Sequence, residues 1–154
     1  MAWWLLKSEP GEFSIDDLAA SPGRTTAWDG VRNFQARNFI RDGMKTGDLA
    51  FFYHSSCPEP GIAGIVKISS AAYGDATALD RAHAHFDARS TKDEPIWYVV
   101  DVRLERKFAR VLTLEKLKQH AASSLSSLPL LKRGNRLSVM PVTKRDWDFI
   151  LTLE

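Results

Sequence analysis

The run TTAWDGVRNF, Thr25 to Phe34, sets Trp28, Asp29, Gly30, Arg32 and Asn33 within six positions. These residue types are the parts needed to hold a flat polar ring. An indole supplies a stacking face, an amide supplies a paired donor and acceptor, and a guanidinium supplies donors for a phosphate or a base edge. Gly30 lets the backbone turn sharply. That places Trp28 on a loop feeding a helix that Asn33 can cap. A simpler arrangement fits the same residues: Trp28 fills a core, and Asp29 and Arg32 form a local ion pair.

Four other patches carry chemical groups. In KSEP, Ser8 and Glu9 follow the first apolar run, and Pro10-Gly11 forces a turn. Polar groups at such a strand mouth either orient a ligand or stay solvated. In FFYHSS, a strand period puts Phe52, His54 and Ser56 on one side and Phe51, Tyr53 and Ser55 on the other. With one face in the core, Tyr53 or His54 falls near a strand end. Cys57 lies three residues after His54, but no third group is evident to orient a Cys–His nucleophile, so no catalytic constellation is assigned. His83, His85 and Asp87 alternate as strand-borne metal ligands would, yet their surroundings read as a long polar loop. No metal and no cofactor are assigned. In LKRGNRLSVMPV, Lys132, Arg133 and Arg136 surround a Gly134-Asn135 turn that can grip phosphates or merely carry surface charge.

These groups need elements to position them. Trp3–Lys7 reads as an opening strand. Ser14 caps a helical turn with Asp17 at the capping-box position, and Asn33–Arg41 has helix-spaced apolar residues that Gly43 can end. GDLAFFYHSS and GIAGIVKISSAAY are β-rich runs joined through CPEPG, a hairpin signal. WYVVDVRLERKFARV alternates over its first half, Thr113–His120 is a short helix, and Leu137–Val142 is a last strand. Thr143 then caps a final helix with Asp146 three residues on. Antiparallel strands without a βαβ rhythm predict an α+β fold, a small partly open barrel flanked by short helices.

Composition sets the bounds. The 154 residues suit one domain, and 44% hydrophobic against 26% charged suits a globular chain with a core. No apolar run reaches the ~20 residues of a membrane span. The start, MAWWLLK, is too short and too aromatic for a secretory leader, and one cysteine forms no internal disulfide. A cytoplasmic protein is expected. Net charge is +2, but residues 1–100 hold 10 Lys/Arg against 13 Asp/Glu and residues 101–154 hold 11 against 6. This leaves a mild basic bias toward the C-terminal end.

Taken together, WWLLKSEP, TTAWDGVRNFQARNFIRDGMKTGDLAFFYHSS, PGIAGIVKI, WYVVDVR and NRLSVMPV resemble the EVE domain family over nearly the whole chain. The resemblance implies one EVE domain over residues 1–154, with a fold similar to PUA and YTH domains: a small β-barrel flanked by helices. It implies a non-enzymatic module that binds RNA or DNA and reads a modified base, such as a methylated or hydroxymethylated cytosine, in an aromatic pocket. The matching pocket residues are Ser8, Glu9, Trp28, Arg32, Asn33, Tyr53, His54, Ser55, Arg136 and Ser138, with Lys132 and Arg133 on phosphate. The alternative is an enzyme or small-molecule binder taking a nucleotide-like ligand in the same pocket. The loop from Tyr73 to Pro95 is the least family-like part.

Overall fold

The computed structural model describes residues 1–154. Eight strands form in chain order: β1 (Trp3–Ser8), β2 (Thr25–Ala27), β3 (Leu49–His54), β4 (Gly61–Ile68), β5 (Tyr73–Gly74), β6 (Tyr98–Val99), β7 (Asp101–Thr113) and β8 (Val139–Val142). Four short helices punctuate them: α1 (Ile15–Ala20), α2 (Phe34–Asn38), α3 (Leu114–Lys118) and α4 (Lys144–Leu153). Six strands make one curled half-barrel sheet in the order β2-β7-β4-β3-β1-β8, and β5 and β6 form a separate ribbon. No helix is long and apolar enough to cross a membrane.

The helices begin where the sequence offers caps. Ser14 and Asp17 form a reciprocal capping box at α1. The side chains of Asn33, Thr113 and Thr143 accept from the amides of Ala36, Lys116 and Asp146. Two expectations change in detail. Asp146 is fully buried, and its carboxylate accepts from the Ser127 hydroxyl at 3.1 Å. Gly43 closes a wide helical turn, Phe39–Gly43, because the ring of Trp4 lies against it: a Cβ there would come within 2.8 Å of the indole.

The sheet departs from the expected all-antiparallel pattern at its centre. β1 runs parallel to β3, Trp3 opposite Leu49 through Ser8 opposite His54. The connection that allows this carries α1, β2 and α2, so it is long enough for a crossover. Both faces of the sheet are covered, not one. Trp4, Leu6, Ala50 and Phe52 enter a core with α1, Trp28 and Ile40. Leu5, Phe51 and Tyr53 enter a second core with Trp147, Ile150 and Leu117. Two-sided burial explains the unbroken apolar runs WWLL and AFFY. The buried carboxylate of Asp48 ties β1 to the start of β3, accepting from the Ala2 and Lys45 amides and the Trp4 indole at 3.0–3.1 Å.

Curvature comes from register shifts between β4 and β7 at Ile62/Gly64 and Ile65/Val66. Gly64 sits between them. A Cβ there would lie 2.4 Å from both the Arg106 carbonyl and Ile15 Cδ1, so only glycine lets β7 and α1 close on β4. Gly64→Ala is expected to lower the unfolding free energy in urea by about 1–3 kcal/mol. Gly11→Ala, where a Cβ meets nothing within 4 Å, should stay within about 0.5 kcal/mol of wild type.

Candidate nucleic-acid cleft

A cleft of about 940 Å³ opens where β1 ends, β2 leaves the sheet and β8 is about to begin. Lys7, Ser8 and Glu9 form one side, Trp28 to Arg32 the floor and back, and Ala82 to His85 the far wall. Ser138 faces in ahead of β8, and its carbonyl accepts the Lys7 amide at 2.8 Å. Sequence reading and structure therefore agree in bringing Ser8, Glu9, Trp28, Arg32 and Ser138 together.

Their surroundings differ. Trp28 is 7% exposed and meets Phe52 edge-on, with centroids 5.4 Å apart and planes at 86°. It is a core ring that also lines the cleft. Arg32 lines the cleft but is not free to donate. Its Nε and Nη2 donate to the His85 carbonyl at 3.1 and 2.7 Å, Nη1 to the Val31 carbonyl and Asp75 at 3.0 and 2.9 Å, and Nη2 again to Thr77 at 3.2 Å. Those contacts use all five N–H groups of a guanidinium. Its ion-pair partner is Asp75, not Asp29. Ser8 donates to the Phe13 carbonyl at 2.6 Å and keeps lone pairs as acceptors.

The remaining assignments move out of the cleft. Asn33 spends its side-chain oxygen on the Ala36 amide as the cap of α2. Tyr53 is buried in the second core, on the opposite face of the sheet. Burial there, with the Cys57 thiol nearby, pushes its phenol up to about 12. His54 Nε2 accepts from the Ile15 amide at 3.1 Å, and burial lowers its pKa. Ser55 pairs through its backbone with Ser8. None of these three lines the cleft, and His54 is not joined to Cys57. The basic turn also stands apart. Arg133 and Arg136 are exposed and do not line the cleft, and Lys132 donates to the Ser126 carbonyl.

Residues not assigned to the pocket from sequence also line the cleft: His83, His85, Asp29 and Lys7. His83 and His85 supply the far wall, with rings 5.1 Å apart. Asp87 does not join them. Its carboxylate accepts from Arg89 and the Trp97 indole. Gly30 explains the histidine wall: φ is +80°, and a Cβ would lie 2.7 Å from His85 Cε1. Asp29 is exposed at the cleft, and its pKa is raised, first by desolvation and then by Asp75, with His83, His85 and Arg32 acting in the opposite direction. Lys7 is half-buried without an ion pair, 5.9 Å from the Tyr53 ring centroid, and burial lowers its pKa. The one sequence signal for the wall was the alternation HAH.

A curled, mostly antiparallel sheet with short helices, and a mixed aromatic and polar cleft at the end of β1, defines a PUA-like half-barrel. The profile of the EVE domain matches residues 2–153, and the chain belongs to that family. It is 47% identical to human thymocyte nuclear protein 1 across 98% of this chain and 73% of that protein. Among solved structures, a Pseudomonas syringae protein superposes with a TM-score of 0.92 at 55% identity over 99% of both chains. Human THYN1 protein in complex with 5-methylcytosine containing DNA superposes with a TM-score of 0.93 at 45% identity, covering 99% of this chain and 97% of that one.

Two measurements test the local chemistry. Arg32→Lys removes the planar fork, so amide exchange across residues 75–87 should accelerate while the β3 and β4 amides stay protected. Asp29→Asn removes a carboxylate whose ionised form the fold disfavours. Because its pKa is raised on folding, Asp29 opposes stability above that pKa and not below both pKa values. The variant should therefore melt higher than wild type at neutral pH. The gap should close as pH falls through the raised pKa.

Proposed function

We propose that this chain, as a single EVE domain over residues 1–154, is a non-enzymatic module that binds nucleic acid and holds one modified base in the cleft. The observation that carries the reading is the cleft itself, on a fold shared at 45% identity with a protein crystallised with 5-methylcytosine containing DNA. Trp28 gives the base an apolar floor. Ser8, Ser138 and the histidine wall give polar groups for its edge. Extruding a base costs a few kcal/mol, least from a single strand. The base-binding residues on this reading are Ser8, Glu9, Trp28 and Ser138, joined by Asp29 and His83. Arg32 and His85 shape the cleft, and Arg133 and Arg136 meet phosphate outside it. The lone Cys57 is unpaired, and cytoplasmic residence belongs to the same proposal.

Trp28→Ala is a poor probe, because removing a buried aromatic costs about 3–5 kcal/mol of stability. Thr26 serves better. It is half-buried on the edge strand β2 and lines the cleft, and a strand tolerates an aromatic residue. The test is a titration of short oligonucleotides, unmodified or carrying 5-methylcytosine, 5-hydroxymethylcytosine or N6-methyladenine, in DNA and RNA. One modified base should bind best, and Thr26→Trp should weaken that binding roughly tenfold or more by filling the cleft. Affinity should fall only shallowly with salt, since few phosphates are neutralised. Equal binding of all oligonucleotides, unchanged in Thr26→Trp, would sink the proposal.

A further inference from the structure

Two carboxylates stand near each other, Asp29 in the cleft lining and Asp75 buried behind it, and their circumstances are opposite. Asp75 is saturated: it accepts from the Gly30 amide, Arg32, the Thr77 amide and the Thr77 hydroxyl at 2.6–2.9 Å. Asp29 forms no side-chain hydrogen bond and no ion pair, although it lies between Trp28 on the floor and Gly30 under the histidine wall. Arg32, the cation three residues away, has spent every N–H elsewhere. Asp29 therefore presents an acceptor-only group to the cleft. The wall supplies a donor. His83 Nδ1 accepts from the His85 amide at 3.0 Å, so in the neutral ring the proton is on Nε2.

We infer that Asp29 is the specificity determinant of the cleft, accepting the exocyclic amine of a cytosine- or adenine-type base and rejecting keto bases. The inference rests on the proposal that the cleft holds a base. A carboxylate pairs naturally with the amino group of cytosine. A keto oxygen in the same place sets lone pair against lone pair and leaves the ring N–H without a partner. His83 Nε2–H supplies the complementary donor for a ring nitrogen or carbonyl along the same edge. The raised pKa of Asp29 fits a group held for recognition at some expense of stability.

Thymine and 5-methylcytosine share ring and methyl group and differ at the edge Asp29 would read. The experiment is fluorescence anisotropy of the full chain with a short single-stranded DNA carrying one or the other at a single position. Wild type should bind the 5-methylcytosine strand about tenfold tighter. Asp29→Asn should bring the two affinities within roughly twofold, because an amide turns to offer a donor or an acceptor. Asp29→Ala should weaken only the 5-methylcytosine strand. Both variants replace an exposed, unbonded side chain, and a melting curve checks that they fold. A wild-type ratio near one, or a preference that survives in Asp29→Asn, overturns the inference. If Thr26→Trp still abolishes binding in that case, the cleft keeps its role and only Asp29 loses its own. Absence of binding by wild type to every strand overturns both.

Discussion

The cleft depends on one guanidinium. Arg32 leaves the loop after β2 and reaches the His85 carbonyl, Asp75 and Thr77, so a single side chain fastens the floor to the segment that forms the opposite wall. That segment belongs to no large sheet. Its only strands are the two-residue β5 and β6, and Phe34 stacks on Trp97 at 4.7 Å beside it. Without Arg32 the tie between floor and wall would be reduced to the Gly30 amide on Asp75, beside the turns and this aromatic contact. Arginine suits the task because its rigid fork makes five hydrogen bonds to four acceptors at once, whereas an ammonium supplies three donors without a plane. The consequence for function is direct. The strongest cation in the most suggestive stretch of sequence is consumed in building the site, and reading a ligand is left to weaker groups around it.

The sheet supplies the rigid half of the arrangement. β1 lies between β3 and β8 with a core on each side, so Ser8 and Glu9 extend from a strand held by Trp4, Leu5 and Leu6 at almost no exposure. Polar groups at the end of such a strand are positioned by packing they do not share in. The bends at Gly64 and its neighbours then bring α1 against β7 and keep the sheet curled. Precision on one side of the cleft thus comes from burial, and on the other from polar ties centred on Arg32 and Asp75.

Local chemistry was legible in the sequence, and long-range chemistry was not. Ser14, Asn33 and Thr143 cap helices as their spacing indicates, because cap and amide lie within four residues. The β3–β4 hairpin follows from the Pro- and Gly-rich turn between its strands. The parallel pairing of β1 with β3 joins segments more than forty residues apart, and nothing local encodes it. Ser8, Trp28 and Ser138, which the EVE resemblance groups together, line one cleft. Tyr53, grouped with them, lies on the second face, a position that becomes clear only once α4 is known to cover that face. Arg32 and Asn33 have the residue types of ligand readers, but residue type does not disclose whether a donor is already spent. His83 and His85 were visible as a pair, yet their partner Gly30 lies over fifty residues earlier.

Magnitudes separate what such a cleft reads well from what it reads poorly. A methyl group buried against Trp28 is worth ~0.8 kcal/mol, a few-fold in affinity. Trp28 itself is mostly committed to Phe52 and the core, so it offers a floor and not a free stacking platform. Polar mismatch at a desolvated edge discriminates far more, because an unpaired buried group loses its hydration without return. The rim points the same way. Glu9, Glu12 and Asp29 line the cleft with Lys7 and Arg32, while Arg133 and Arg136 lie outside it, so the lining is no strong attractor of phosphate. On the proposed reading, the edge of the base selects its kind, and the methyl group adds a smaller preference within that kind. Strong selectivity for a modified base would then require the groups that reject its unmodified counterpart to act through the depth of the cleft, not through the methyl contact alone.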